Sequence, residues 1–324
     1  MSNIIDKNVI FEQVFVCPKC YGNLEFRGNC IACLECDQNY MVQNEVPLFT
    51  LNNELSDFEN EESNFHTVIA EEADKAHGQE TLRAKILHDN FLSPFTGFHP
   101  GSIILDIACG TGVDLIKMAE AGNFVIGLDI SPGMVAVAKA KAKEKGVEDR
   151  VILAVASAYQ LPFLASTFEG TYICAALHHM ENPVEALREI KRVTKNNGLI
   201  SIGSEPNAWI YKFRSIKHSR LGRKIMSVFR KDYTIGEQPP GDRHTPGWAY
   251  SDWQTLAKKC ELTLVKVNPI WYLNGLASLL GMHHLPRGIE HILSSLDSGI
   301  GKIPFVRNYS FKWNVLLQNE TSET

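Results

Sequence analysis

A chain of 324 residues with 44% hydrophobic content suits one large or two modest globular domains, and no apolar run approaches the ~18 residues of a membrane-spanning helix. The formal net charge of −5 gives no overall attraction to nucleic acid, and no basic region followed by an apolar stretch marks a secretory signal. Eight cysteines in such a chain are expected to lie in a reducing cytoplasm, where closely spaced pairs are metal ligands more often than disulfides.

Residues 1–50 are read as a separate small module. Cys17-Pro18-Lys19-Cys20 and Cys33-Leu34-Glu35-Cys36 form two C-x-x-C pairs with residues 21–32 between them. Each pair can sit on a tight turn and offer two thiolates from one knuckle, and two knuckles complete a tetrahedron at Zn–S distances of about 2.3 Å. Tyr40-Met41-Val42 and Val46-Pro47-Leu48-Phe49 read as strands that close the unit. So short a module buries little core, so the metal supplies folding free energy directly. Chelation is therefore expected to unfold it and leave the rest of the chain largely intact. With Cys17, Cys20, Cys33 and Cys36 filling all four positions, zinc is structural and leaves no open place for water. The module resembles a zinc ribbon. Cys30 is read as a half-buried small residue, and Cys109, Cys174 and Cys260 as core fillers.

Residues 51–98 are read as an acidic solvated linker that runs into lid helices. Glu54, Asp57, Glu59, Glu61 and Glu62 fall where apolar content is low, and a helix is expected around residues 66–90. His66, His77 and His88 on it are taken as ordinary surface or packing histidines.

The segment from Ile103 to Gly112 reads as a buried strand, Ile103-Ile104-Leu105-Asp106-Ile107, turning through Ala108-Cys109-Gly110-Thr111-Gly112 into an amphipathic helix. Glycines at such a turn let the backbone approach a ligand closely, and the helix N-terminus offers unpaired N–H groups. The next strand, Phe124–Asp129, ends in a carboxylate about 20 residues after the turn, a place suited to gripping both hydroxyls of a ribose. A dinucleotide fingerprint needs a small third residue, but Leu115 stands there. Strands near 151–155, 171–176, 198–203, 262–268 and 309–317 alternate with helices near 132–145, 183–194 and 251–260. Ser131 is expected to cap the first of these helices, with Pro132 at its first position. Such alternation predicts a mostly parallel sheet, its last strand antiparallel, with ligand at the carboxyl edge.

Asp106-x-Ala108-x-Gly110-x-Gly112 resembles the first motif of class I S-adenosylmethionine-dependent methyltransferases. Leu161-Pro162-Phe163, Thr167-Phe168-Glu169, Leu177-His178-His179-Met180, the helix Ala186–Val193 and Asn197-Gly198-Leu199 follow in that family's order. The resemblance covers roughly residues 99–204 well and the remainder loosely. It implies an α/β fold, a Rossmann-like seven-stranded sheet over residues 99–324, with insertions near 206–250 and 269–307. It also places the zinc ribbon where some such enzymes carry one. The implied cofactor, S-adenosylmethionine, would be held by Asp106, Ala108, Cys109, Gly110, Thr111, Gly112, Asp129, Ile130, Met134, Ser157, Ala158, Tyr159 and Ala175. The chain departs from the family at two of these. Ala108 replaces a common glycine, and Ser157 replaces an aspartate that takes the adenine amino group.

For catalysis His179 is the first candidate proton acceptor, with Glu205 and His178 behind it, all leaving the ends of the fourth and fifth strands. Residues 206–231 carry eight lysines and arginines and no acid, interleaved with apolar residues. Such a segment can meet an anionic substrate, a membrane surface or RNA, or simply cover the active site. The apolar insertion 276–306 can wall a hydrophobic pocket. The leading expectation is methyl transfer to a small or medium-sized metabolite, hydrophobic or anionic. An RNA-base methyltransferase is the first alternative. It is disfavoured because Lys7, Lys19 and Arg27 are the only clear basic residues of the N-terminal module, and no Asn/Asp-Pro-Pro-Tyr sequence follows the fourth strand. The second alternative is a non-catalytic cofactor-binding scaffold.

Overall fold

The computed structural model describes residues 7–50, 55–77, 82–99, 101–212, 239–280, 282 and 285–320. The N-terminal part contains α1 (Lys7–Val14), β1 (Leu24–Arg27), β2 (Cys30–Cys33), β3 (Asn39–Gln43) and β4 (Val46–Leu48). Two helices follow, α2 (Asp57–His77) and α3 (Leu82–Leu92). The alternating core is β5 (Ile103–Ile107), α4 (Val113–Glu120), β6 (Phe124–Asp129), α5 (Pro132–Glu144), β7 (Val151–Val155), β8 (Phe168–Cys174), α6 (Pro183–Val193) and β9 (Thr194–Pro206). The remainder is α7 (Ala208–Lys212), α8 (Pro240–His244), α9 (Tyr250–Lys259), β10 (Thr263–Ile270), α10 (Leu273–Leu279), α11 (Arg287–Ile300) and β11 (Lys312–Gln318).

Seven strands in the order β7-β6-β5-β8-β9-β11-β10 make the expected sheet, parallel except at β11, which runs antiparallel to both neighbours. Its central strands are buried on both faces, and β6 is buried throughout. That two-sided cover explains why they read as continuous apolar runs rather than alternating ones. Leu115, at the position of the dinucleotide fold's small residue, is fully buried, and a Cβ at Gly127 on β6 would collide with it. The space that a third small residue usually leaves is here supplied from the opposite strand. Ser131 caps α5 by accepting a hydrogen bond from Met134 N at 3.1 Å, with Pro132 in the first turn.

Two sequence expectations change. The N-terminal module is not a separate body. β4 pairs in parallel with β7 through Leu48 and Val155, so one sheet of eleven strands runs through both parts. Val16 N donates to Pro162 O at 3.0 Å, Leu164 N to Val14 O at 3.0 Å, and Phe49 N to Val155 O at 2.8 Å. Phe11, Phe15 and Phe49 join Phe163 and Phe168 in a single apolar cluster, with Phe15 and Phe163 rings 4.8 Å apart. Second, the acidic stretch is helical from Asp57. Ser56 Oγ accepts from Glu59 N at 3.1 Å while Glu59 returns a carboxylate to Ser56 N at 3.0 Å, a reciprocal cap. Asp57 and Glu59 in the first turn also suit the positive end of the helix dipole. One long lid helix around residues 66–90 is thus two helices, α2 and α3. Of the basic stretch 206–231, residues 213–231 lie outside the described residues.

Candidate functional site

The parallel strands end at a cleft of about 1060 Å³. Ala108, Ala175 and Trp271, each just beyond a strand end, and Ser204, near the end of β9, line it, and all four take left-handed backbone conformations with φ between 52° and 62°. Non-glycine residues adopt this region at a cost of roughly 1–2 kcal/mol each. Four of the ten left-handed non-glycine residues among those described thus border one ligand-sized space. Gly112, at φ 80°, caps α4, and a Cβ there would press against Ala138 of α5 at 3.0 Å.

One half of the cleft is the glycine turn and its neighbours. Asp129 closes β6 with both carboxylate oxygens anchored. Oδ2 accepts from Gly110 N at 2.8 Å and Oδ1 from Ser131 N at 2.9 Å. Burial nevertheless raises its pKa above the ordinary carboxylate range, against those two bonds. Asp106 is 2% exposed, and its Oδ2 has no hydrogen-bond partner. Burial, and then the nearby charge of Asp114, push its pKa well above normal. Two buried carboxyl groups of raised pKa, one with an orphaned oxygen, form a site in want of a cation and of hydroxyl donors. Ala108, Cys109, Gly110, Thr111, Ile130, Met134, Ala158, Tyr159 and Ala175, all named from the sequence as candidate cofactor contacts, line the same space.

Ser157 does not join them. Its Oγ donates to Glu59 on α2 at 2.5 Å and accepts from Tyr159 N at 3.1 Å, and the residue lines a neighbouring cavity. Gly112 shapes the turn rather than the cleft wall.

α2 lies across this half as a lid. Ser63 Oγ donates to Ile130 O at 2.9 Å, Thr67 and Ser131 hydroxyls meet at 2.9 Å, and a Cβ on Gly133 would strike Thr67 Cα at 2.8 Å. Lys141 on α5 pairs with Asp74 at 2.6 Å. Further along, Glu62 Oε2 accepts from His66 Nε2 at 3.1 Å and from His179 Nδ1 at 3.2 Å, while Oε1 takes Gly241 N from α8. Burial opposes the charge on Glu62, but the two histidine bonds outweigh it and hold the carboxyl down at about 2.

The opposite half carries His178, His179, Asp242, Trp271 and Lys312. Glu205, expected as a candidate base, is fully buried and spends its carboxylate inside the protein. It accepts from the backbone N–H of Ala176, Leu177 and His178, from His178 Nδ1 at 3.0 Å, and from Trp248 Nε1 at 3.0 Å. Burial would raise its pKa, but the His178 charge and these donors lower it. A carboxylate so occupied holds the 176–178 turn and orients His178; it takes no proton from an acceptor. His178 turns Nδ1 to Glu205 and presents Nε2 to the cleft, 3.7 Å from Asp242. Lys312 donates to Ser204 Oγ at 2.6 Å and lies 4.9 Å from the Trp271 ring centroid, its pKa lowered by burial.

Several of these residues escaped the sequence reading. His66 and His88 line the cleft instead of the surface, and His88 Nδ1 meets Asp114 Oδ1 at 2.7 Å. Glu62 and His66 were legible as an i, i+4 pair on one helix face. Lys312, a lone cation opening an apolar strand, carried no such signal.

At the far edge of the sheet, four sulfurs converge. Cys17–Cys36, Cys20–Cys33 and Cys20–Cys36 Sγ atoms are 3.7, 3.4 and 3.3 Å apart, and all four lie within 4.8 Å of one another. Edges of about 3.8 Å are expected of a tetrahedron with 2.3 Å metal–sulfur bonds. Cys33 Sγ accepts from the backbone N–H of Glu35 and Cys36, each at 3.4 Å, which favours a thiolate. Cys30 stands apart, its thiol directed at Arg27 O.

Residues 105–202 match the family model described as a methyltransferase domain. A demethylmenaquinone methyltransferase of Symbiobacterium thermophilum is 37% identical over 115 residues, covering 34% of this chain and 45% of that protein. A sterol 24-C-methyltransferase of Gibberella zeae is 27% identical over 167 residues, covering 49% and 44%. The chain thus spans about half the length of these relatives. Among solved structures the [4+2]-cyclase SpnF matches with a TM-score of 0.54 at 17% identity, over 80% of this chain and 95% of that one. The sheet is that of the Rossmann-like methyltransferase fold.

Proposed function

We propose that this chain is an S-adenosylmethionine-dependent methyltransferase acting on a small or medium-sized metabolite, with a structural zinc at its N-terminal edge. The observation that carries the reading is the pair Asp106 and Asp129. A buried acid with an orphaned oxygen suits an ammonium group, and an anchored acid at the end of β6 keeps free lone pairs for two ribose hydroxyls. A dinucleotide pyrophosphate at the glycine turn would instead face the buried Asp106. The residues present fit the cofactor, whose sulfonium supplies an already activated methyl group.

What remains for the protein is approach geometry. The acceptor atom must be held in line at about 3–3.5 Å with water excluded, which the docked α2 favours. For an acceptor that must lose a proton, His178 Nε2 is the base this arrangement prepares, with Glu205 as its positioning residue. His179, first in the sequence ranking, is tied to Glu62 and serves the lid contact. Lys312 beside the same space suits an acceptor with a carboxylate, a phenolate or an enolate oxygen.

The sulfur spacing and the N–H bonds to Cys33 support zinc at Cys17, Cys20, Cys33 and Cys36, and a reducing cytoplasm is the setting in which those thiolates persist. The test is incubation of the purified protein with methyl-labelled donor and fractionated cell extract. Label in small molecules or lipid supports the reading. Label in RNA selects the rival enzyme, and donor binding without transfer selects the scaffold.

A further inference from the structure

An amphipathic helix on a globular protein ordinarily buries its apolar residues and shows its charges to water. In α11 the arrangement is inverted. Its two acids point inward: Glu290, 2% exposed, accepts from Leu82 N of α3 at 2.9 Å, and Asp297, 7% exposed, accepts from Leu273 N and Asn274 Nδ2 of α10 at 2.6 and 2.9 Å. Outward stand Ile289, Ile292 and Leu296, and the turn that follows adds Ile303 and Phe305, the last 87% exposed. From Leu273 to Tyr309 the sequence holds no other acid, so the formal charges left outside on α11 and its turn are cationic, Arg287 and Lys302 among them.

We propose that this face of α11 and the turn after it dock on an anionic lipid bilayer, and that the cleft behind them takes an apolar acceptor held in that bilayer. The first half stands on the surface alone. An exposed apolar face whose own segment carries outward cations and buries both its acids fits a headgroup layer of opposite sign. A second copy of the chain is a poorer partner, because a two-fold contact would set Arg287 and Lys302 against themselves. Among the described residues no helix is long and apolar enough to cross a membrane, and the contact proposed is peripheral.

The second half rests on the methyltransferase reading. α11 packs on α10 and on α3, and those helices supply Ser278, Leu87 and His88 to the cleft wall. One layer of helix separates the patch from the acceptor side. Asp297 binds the backbone at the start of α10, so movement of α11 at a bilayer would be passed to that wall.

The experiment is cosedimentation of the full chain with phosphatidylcholine vesicles, with and without phosphatidylglycerol. The wild type should pellet with the anionic vesicles, weakly with neutral ones, and less as salt rises. The Ile292→Asp/Phe305→Asp double variant should lose this binding by roughly tenfold or more, since both side chains are exposed apolar anchors. Lys302→Glu should weaken it by about fivefold or more. Donor affinity by calorimetry and the melting temperature should stay at wild-type values in all of them. A wild type left in the supernatant, or a double variant that pellets equally, overturns the docking. So does a concentration-dependent dimer that the double variant dissolves while vesicles bind neither protein. If docking holds and the labelled methyl appears only in aqueous metabolites, the substrate half is overturned. Failure of donor binding would sink the methyltransferase reading and leave the vesicle result untouched.

Discussion

Glu205→Gln tests the assignment of that residue to positioning. Oε1 accepts from Ala176 N and Leu177 N at 3.0 and 2.9 Å, and Oε2 from His178 N, His178 Nδ1 and Trp248 Nε1 at 3.1, 3.0 and 3.0 Å. Glutamine has nearly the same shape, but one end is an NH₂ group that accepts nothing. Turned toward Ala176 and Leu177, it leaves two backbone N–H groups unanswered. Turned the other way, it leaves His178 N and Trp248 Nε1 unanswered even if the His178 ring moves its proton. Two buried donors at about 1–3 kcal/mol each make a loss of ~2–6 kcal/mol, large beside the ~5–15 kcal/mol that holds a typical domain. The pH dependence follows from the lowered pKa. Glu205 contributes fully above the ~4.3 of an unfolded glutamate, and that contribution is lost as pH falls through the lower folded value. Urea denaturation at several pH values should therefore show a wide gap between wild type and E205Q at neutrality that narrows toward acid. A variant within ~0.5 kcal/mol of wild type at neutral pH, the range of an inconsequential surface change, would refute the reasoning.

Asp129→Ala should weaken S-adenosylmethionine binding by about a hundredfold or more in calorimetry, from two lost hydrogen bonds to a charged group at ~1.5–3 kcal/mol each; near-normal affinity would remove the ribose assignment. Donor affinity should also rise with pH, by up to about tenfold per unit below the raised pKa of Asp106, because only the carboxylate pairs with an ammonium. Asp106→Asn should flatten that dependence, and an unchanged slope would reassign it. By the same linkage the free protein loses stability as pH climbs from the ~3.9 of an unfolded aspartate through the folded value. Chelation of zinc should lower the melting temperature of the whole chain, not of its first fifty residues alone. Two well-separated transitions, the second unmoved, would show that the shared sheet and phenylalanine cluster do not couple the parts.

The half of the cleft around the glycine turn was legible because it is contiguous. Asp106 to Gly112 and Phe124 to Asp129 are each one strand and its turn, so spacing along the chain is spacing in the cleft. Ser157 shows where that ends. Its hydroxyl is claimed by Glu59 from a helix about a hundred residues earlier, a partner that no local pattern names. The reciprocal cap at Ser56 and Glu59 was written plainly, yet the surplus of acids around it gave the appearance of a linker. The cysteine spacing anticipated four sulfurs in one cluster, which is where they lie. What it could not convey is that Phe11, Phe15 and Phe49 have their partners in Phe163 and Phe168.

The acceptor half is assembled from Glu62, His178, Glu205, Asp242 and Lys312, which come from five separate stretches of chain and meet only when the sheet is complete. That difference has a chemical reason. Within one fold, holding the same donor asks for much the same turn and strand ends, so the donor side can be read from local spacing. The acceptor side is free to be rebuilt from whatever elements border the cleft. In this chain the distinguishing material is the buried Glu205–His178 pair, Lys312 under Trp271, and the cationic apolar face of α11 behind them. Under the proposed function those features, rather than the glycine turn, would select the acceptor.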